Sequence, residues 1–218
     1  MIIQLSFDGS DFIGVHGRVS EKYGVFGRRV PDICIEEAEK NLGVTAMRTT
    51  IAYVDIVGTM VAMNSNGMVV NRFVNDIEEK KLRELGIRLA YTSPTMNAAG
   101  NLILTNDKRA LVGTKTPKSM INEIEEALGV EVVSENVGLS NVGMAFALTN
   151  KSILCHPDAS DETLHALEEL FKVRGGWGTV NHGMPLVGCG MVCNSHGVLI
   201  GKRTTTVEIA RIQDTLEG

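Results

Sequence analysis

Cys34, Cys155, Cys189 and Cys193, with five histidines, are the side chains of this sequence with the widest chemical reach. A thiol and an imidazole flanked by carboxylates could attack the carbon of a guanidinium group, and that is the first chemistry to test. Cys155 and His156 are neighbours in the chain, so on a strand they point to opposite faces and cannot converge on one atom. Cys189, Cys193 and His196 lie close together, which suggests zinc, but no fourth ligand stands at CxxC-like spacing. His196 instead reads as an exposed turn residue. The stretch RGGWGTVNHG (174–183) is rich in glycine. It contains no G-x-x-x-x-G-K-[ST], and no G-x-G-x-x-G opens a helix, so it reads as a flexible crossover with Trp177 packed or partly exposed. These readings leave no catalytic residue, no metal ligand set and no cofactor site.

Composition narrows the class. The 218 residues suffice for one large domain, and a hydrophobic share of 44% with 22% charged residues argues for a packed core. With 21 basic and 26 acidic side chains the net charge is −5, so any contact with nucleic acid has to come from a local patch. The first ten residues, MIIQLSFDGS, show no basic stretch followed by an apolar core, and IAYVDIVGTMVAM is too short to span a bilayer. The expectation is a cytoplasmic protein with free thiols, no membrane contact and no disulfides.

The elements that position these residues follow from a repeat. An apolar residue, a glycine, an apolar run and a polar turn recur as VGTMVAMNSNG from Val57, AGNLILTNDKR from Ala99, VGMAFALTNKS from Val142 and VGCGMVCNSHG from Val187. A weaker copy, IGVHGRVSEKYG, begins at Ile13. The anchoring glycines are Gly14, Gly58, Gly100, Gly143 and Gly188, and the turns open at Ser20, Asn64, Asn106, Asn150 and Asn194. Cys189 and Cys193 fill positions that other copies give to Thr59, Met63, Asn101, Thr105, Met144 and Leu148, so they read as small packed residues.

Each phrase reads as a β-hairpin. Helical segments follow at 76–86, 118–129, 160–171 and 205–216, opened by Asn75 with Glu78, by Pro117, by Ser160 and by Thr205 with Glu208. Three units then turn at Gly43, Gly86 and Gly129 into a further strand. The unit is ββαβ, with approximate bounds 1–48, 49–92, 93–135, 136–179 and 180–218 in a single domain. No unit can bury its own helix and sheet, and the last is as apolar as the middle ones. A closed five-fold pseudosymmetric α/β propeller is therefore expected, rather than a capped solenoid.

Equivalent loops of a closed ring share one rim. The segment between hairpin and helix carries Arg28 and Arg29, Arg72, Lys115 and Lys118, and Lys202 and Arg203, which predicts an interrupted basic edge. The turn residues Asn64, Asn66, Asn106, Asp107, Asn150, Asn194 and His196 belong to the opposite edge, where turn chemistry alone accounts for most of them.

The phrases AAGNLILTNDKRALV (98–112), VGMAFALTNKSILCHP (142–157), FKVRGGWGTVNHG (171–183), VGCGMVCNSHGVLIG (187–201) and TTTVEIARIQDTL (204–216) carry a resemblance to the translation initiation factor six family, the ribosome anti-association factors of archaea and eukaryotes. The likeness extends over all five units and is loosest in the first, where EKYGVFGRRVPDICIEEAEKN departs from the repeat. It implies a monomeric pentein that binds the large ribosomal subunit, blocks joining of the small one, and uses no cofactor and no catalysis. It also places Asn101, after Gly100, near the contact with a large-subunit protein, and His182 at the basic position of a GTVN signature. The interface candidates are Asn101, Asn64, Asn106, Lys202, Arg203 and Lys115, touching ribosomal protein and local ribosomal RNA. The rival expectation is a thiol-dependent guanidine-modifying enzyme of the same fold.

Overall fold

The structure is a computed structural model that describes all residues except Asp8, Thr95 and Gly218. The chain enters as strand β1 (Ile2–Leu5) and then repeats one course five times. The first course is a short inner helix α1 (Ile13–His16), strands β2 (Gly17–Val19) and β3 (Tyr23–Gly27), outer helix α2 (Asp32–Leu42) and strand β4 (Thr45–Thr49). The second is α3 (Val57–Met60), β5 (Val61–Met63), β6 (Gly67–Val70), α4 (Asp76–Arg83) and β7 (Arg88–Tyr91). The third is α5 (Ala99–Leu102), β8 (Ile103–Thr105), β9 (Arg109–Val112), α6 (Lys118–Leu128) and β10 (Glu131–Ser134). The fourth is α7 (Val142–Ala145), β11 (Ala147–Leu148), β12 (Ser152–Cys155), α8 (Asp161–Phe171) and β13 (Arg174–Trp177). The fifth is α9 (Val187–Gly190), β14 (Met191–Asn194), β15 (Gly197–Gly201) and α10 (Thr206–Glu217).

Each blade is a three-stranded sheet whose hairpin is antiparallel and whose third strand, reached through the outer helix, runs parallel to the second. The fifth blade takes its third strand from the other end of the chain: β1 pairs in parallel with β15, Ile2 opposite Val198 through Leu5 opposite Gly201. The two ends of the sequence thus share one sheet, and the ring is fastened.

The outer helices start and stop for local reasons. Asn75 and Glu78 form a reciprocal capping box on α4, and Ser160 caps α8 by accepting from the Thr163 amide. Gly43 and Gly129 end α2 and α6 in the left-handed conformation that glycine adopts without strain. The fourth blade has no glycine there, and Lys172 takes the left-handed conformation in its place, with φ of 54°.

None of the five apolar cores belongs to one blade. Val192 and Leu199 of the fifth blade pack with Phe26, Ala38 and Leu42 of the first, and Leu104 and Leu111 of the third pack with Phe146, Leu167 and Phe171 of the fourth. Each outer helix is buried only when the neighbouring sheet is present.

The repeated glycine has a steric cause. A Cβ on Gly58 would lie 2.0 Å from the carbonyl oxygen of Gly14, on Gly100 2.0 Å from that of Gly58, and on Gly143 2.0 Å from that of Gly100. On Gly188 it would meet Gly143, and on Gly14 it would meet Gly188, which closes the circle. The five inner helices touch backbone to backbone around the axis, and at these glycines there is no room for a Cβ between neighbours.

Three readings of the sequence need correction. The opening residues of each phrase are the inner helix, and only the remainder is hairpin. In the fourth unit the turn opens at Thr149, whose position after Gly143 matches that of Asn106 after Gly100, and not at Asn150. The segment 174–183 is no flexible crossover. Its first part is β13, with the Trp177 indole donating to the Ala159 carbonyl at 2.8 Å, and its remainder is a tight turn held by hydrogen bonds.

Candidate functional site

The ring has two ends and an axis, and each is built differently. Hairpin turns gather at one end. The strand-to-helix loops, and the loops that lead into the inner helices, gather at the other.

At the turn end the polar side chains are spent on one another. Asn64 donates to the carbonyls of Asn106 (3.1 Å) and Leu128 (2.8 Å) in the next blade, while its own Oδ1 accepts from the Asn66 and Gly67 amides. Asn106 donates to the Thr149 carbonyl at 3.1 Å, and Asn194 to those of Ser20 and Leu42. Each of these asparagines shapes its turn and joins two blades, and all three are buried. Outside them runs a second belt. Asp107 accepts from the Ser65 amide and hydroxyl and from Asn150, and Glu21 accepts from the Ser195 amide and hydroxyl. Of the candidates assigned to this edge, Asn64 and Asn106 therefore lie inside the ring and present no side chain to a partner.

The loop end has the opposite character. Of the nine large apolar residues exposed among the described residues, all but Met1 lie here: Phe12, Ile33, Tyr53, Val54, Ile56, Phe73, Ile77 and Val207. Most belong to the sector shared by the first two blades, where Tyr53, Phe73 and Ile77 are 80%, 65% and 83% exposed. Arg72 lies over the Phe73 ring, 5.8 Å from its centroid. The basic side chains read from the sequence are here as well: Arg28, Arg29, Arg72, Lys115, Lys118, Lys202 and Arg203 are all exposed. Asn101 stands half-buried on α5, toward the axis, and its Oδ1 is buried without a hydrogen-bond partner. A groove of about 510 Å³ between the third and fourth blades is lined by Met96, Leu102, Lys115, Pro117 and Leu139.

Two carboxylates hold this end in shape. Glu78 accepts from the Thr50 hydroxyl and from the amides of Ala52 and Tyr53, and those two residues have positive φ. Glu208 accepts in the same manner from the Thr179 hydroxyl and the amides of His182 and Gly183, and from Thr205 at the start of α10. Burial by itself would raise the Glu208 pKa, but the amides of Thr205 and Gly183 and the hydroxyls of Thr179 and Thr205 outweigh it and hold it down to about 2. Glu78 is lowered as well: burial opposes the shift, and the Thr50 hydroxyl and the Tyr53, Asn75 and Ala52 amides overcome it. The GTVNHG segment is thus one of a pair of clamps. His182 and Tyr53 are exposed at corresponding points of the two turns.

The axis holds a residue that the sequence reading passed over. Arg18 reaches into the ring of inner helices and donates to the carbonyls of Gly58 (2.9 Å), Gly100 (2.8 Å) and Gly143 (3.3 Å). The positions equivalent to it in the other copies are Ala62, Leu104, Ala147 and Val192. A charged residue in an apolar register was the available signal.

The cysteines do not converge. Cys34, Cys155 and Cys189 are buried, and burial pushes the thiols of Cys34 and Cys155 up to about 11 and 12. Burial likewise raises Cys193 to about 12 and moves Cys189 in the same direction. His196 is exposed at its turn, and no group of three metal-binding side chains occurs among the described residues. No helix among them is long and apolar enough to cross a membrane.

Comparison with known proteins gives a consistent result. The sequence matches the eIF-6 family over residues 2–215. It is 38% identical over 222 residues to translation initiation factor 6 of Thermococcus onnurineus, an alignment that covers 99% of this chain and 97% of that protein. With translation initiation factor 6 of Pyrococcus abyssi the identity is 39% over 227 residues, covering 99% and 98%. Among solved structures, a dimethylarginine dimethylaminohydrolase adduct is similar at a TM-score of 0.46 and 11% identity, covering 100% of this chain and 94% of that one. The N-terminal domain of ArgZ, an arginine dihydrolase from cyanobacteria, is similar at a TM-score of 0.43 and 14% identity, covering 65% and 60%. Likeness at these scores carries no argument about chemistry.

Proposed function

The chain belongs to the eIF-6 family of translation initiation factors, and on that premise we propose that it docks its loop end on the large ribosomal subunit and keeps the small subunit from joining. The observation that carries this reading is the asymmetry of the ring. Exposed aromatic and aliphatic side chains and the basic rim gather at the loop end, whereas turn-end asparagines are consumed in joints between blades. Apolar anchors with arginine beside them are what a protein interface uses, and the rim of lysine and arginine suits ribosomal RNA. Lys115, Lys202, Arg203 and Asn101 are the interface residues of this reading, with Tyr53, Phe73 and Ile77 added to them.

The action is steric. A rigid monomeric disc working in the cytoplasm occupies the joining surface, and its release rate sets how many subunits are free. The reading is of a factor without catalysis. Arg18 is tied to glycine carbonyls on the axis, and burial shifts all four thiols away from the thiolate form that a nucleophile needs.

The test is sedimentation with separated ribosomal subunits, followed by a joining assay. Comigration with the large subunit alone and loss of joined ribosomes are expected. Absence of binding at low salt would overturn the reading.

A further inference from the structure

The outer edge of each blade is its third strand, and three blades blunt that edge in the same way. In the first, third and fourth, the amide of the strand's second residue points away from the sheet, at Ala46, Val132 and Gly175. It donates to a glutamate of that blade's own outer helix, Glu39, Glu125 or Glu168, at 3.4, 3.0 and 2.6 Å. An edge amide spent inside the blade is lost to any incoming strand.

The second blade has no such cover. Leu82 stands where the glutamate would be, seven residues before Leu89, and it is buried. On β7 the amides of Arg88 and Thr92 bond inward, to the carbonyls of Asn66 and Val70, so those of Leu89 and Tyr91 point outward by the alternation of a strand. Among the described residues neither outward amide meets an acceptor. The helix of this blade, α4, is also the shortest outer helix, eight residues against eleven or twelve. The fifth blade lacks the glutamate too, with Ile212 in its place, but its third strand, IIQL, carries no arginine and no aromatic residue.

The side chains around β7 say what would cover it. Leu89 and Tyr91 are half-buried in one apolar cluster with Leu82 and Leu85, whereas Arg88 is exposed. Arg83 donates to the Tyr91 hydroxyl at 3.2 Å, and just past the strand the Arg72 amide donates to the Thr92 hydroxyl at 3.1 Å. Of these three arginines only Arg83 has a carboxylate partner, Glu79, among the described residues.

We propose that the open edge of β7 takes an extended acidic segment of a partner protein as a fourth strand of the second blade. The backbone groups of Leu89 and Tyr91 bond to its backbone. Its apolar side chains, at every second position, lie beside Leu89 and Tyr91, and the carboxylates between them meet Arg88, with Arg72 at the far end. This edge lies across the sheet from β5, whose residues border the axis, and it does not rest on the docking reading. Its test uses the free protein, so a failure to bind ribosomes leaves it standing.

The probe is a capped hexapeptide of alternating glutamate and valine, titrated into isotope-labelled protein. The amide signals of Leu89 and Tyr91 are expected to shift and to gain protection from exchange, while that of Val132 stays in place. Lysine for glutamate in the probe should weaken binding at least about tenfold. Leu89→Pro should do the same, because it removes one outward amide at a place where an edge strand tolerates proline. The map on the wild-type protein decides the matter if Leu89→Pro fails to fold. No shift, or shifts confined to other residues, overturns the proposal. Equal binding of the two peptides, or a dimer of the protein itself through the same amides, overturns it as well.

Discussion

The turn end and the loop end are made from the same repeat and answer to different demands. At the turn end a buried side chain that opens one blade's turn bonds to the backbone of the next, so a polar residue there is part of the ring's closure. At the loop end the backbone is held from beneath by Glu78 and Glu208, and the tips are free to differ: Tyr53 in one clamp, His182 in the other. A repeat fixes its joints and varies its tips. Recurrence of a residue type is therefore a sign of architecture, and departure from the repeat is the better sign of function.

The largest effect expected from disturbing this division lies at the axis. Gly100→Ala places a Cβ against the Gly58 carbonyl, where only backbone movement could relieve it. Destabilisation beyond about 4 kcal/mol is expected, read by urea unfolding, and a variant of normal stability would refute the packing described for the inner helices.

Next comes the clamp. The folded pKa of Glu208, about 2, lies below the ordinary 4.5. Its contribution to stability is therefore fully present above pH 4.5 and fades as the pH falls through about 2, and the shift corresponds to roughly 3 kcal/mol. Glu208→Gln should lower stability by an amount of that order at pH 7 and close the gap with the wild-type protein toward pH 2. A gap that persists unchanged at low pH would mean that the carboxylate charge is not what the turn amides recognise.

At the turn end, Asn64→Ala removes the acceptor of two turn amides and one of the donors to each of two carbonyls of the next blade. A loss of about 2 kcal/mol is expected, with subunit affinity unchanged once the variant is folded. The contrasting pair is Tyr53→Ser with Phe73→Ser at the loop end. Stability should move by no more than about 0.5 kcal/mol while binding to the large subunit falls at least about tenfold. If Asn64→Ala weakens docking and the aromatic variants do not, the assignment of the two ends is reversed.

The smallest effect sharpens the account of the fourth blade. Lys172→Gly relieves a left-handed lysine and should raise stability by about 0.5–1 kcal/mol, measured by thermal unfolding.

Much of the architecture could be read before any coordinates. The period of the glycines set the number of blades, and the start signals at Asn75, Pro117, Ser160 and Thr205 placed the beginnings of four outer helices within a residue of where they lie, although α4 stops at Arg83, short of the expected 86. These features are local, decided by backbone conformation and by which face of a helix is apolar. The basic rim could be read for the same reason, because equivalent loops of any closed ring share an end.

What the sequence left undecided depends on contacts between distant residues. Asn64 and Asn101 are both asparagines beside a glycine or a turn, and only the ring shows that one is buried in a joint while the other stands at the loop end. The pairing of β1 with β15 joins residues from opposite ends of the chain, and no periodicity announces it. Arg18 reads as one more charge on a short strand until the inner helices surround it and the carbonyls of Gly58, Gly100 and Gly143 become its hydrogen-bond acceptors. Local chemistry determined the elements and their number. Closure of the ring alone decided which polar side chains are mortar, which fills the axis, and which face a partner.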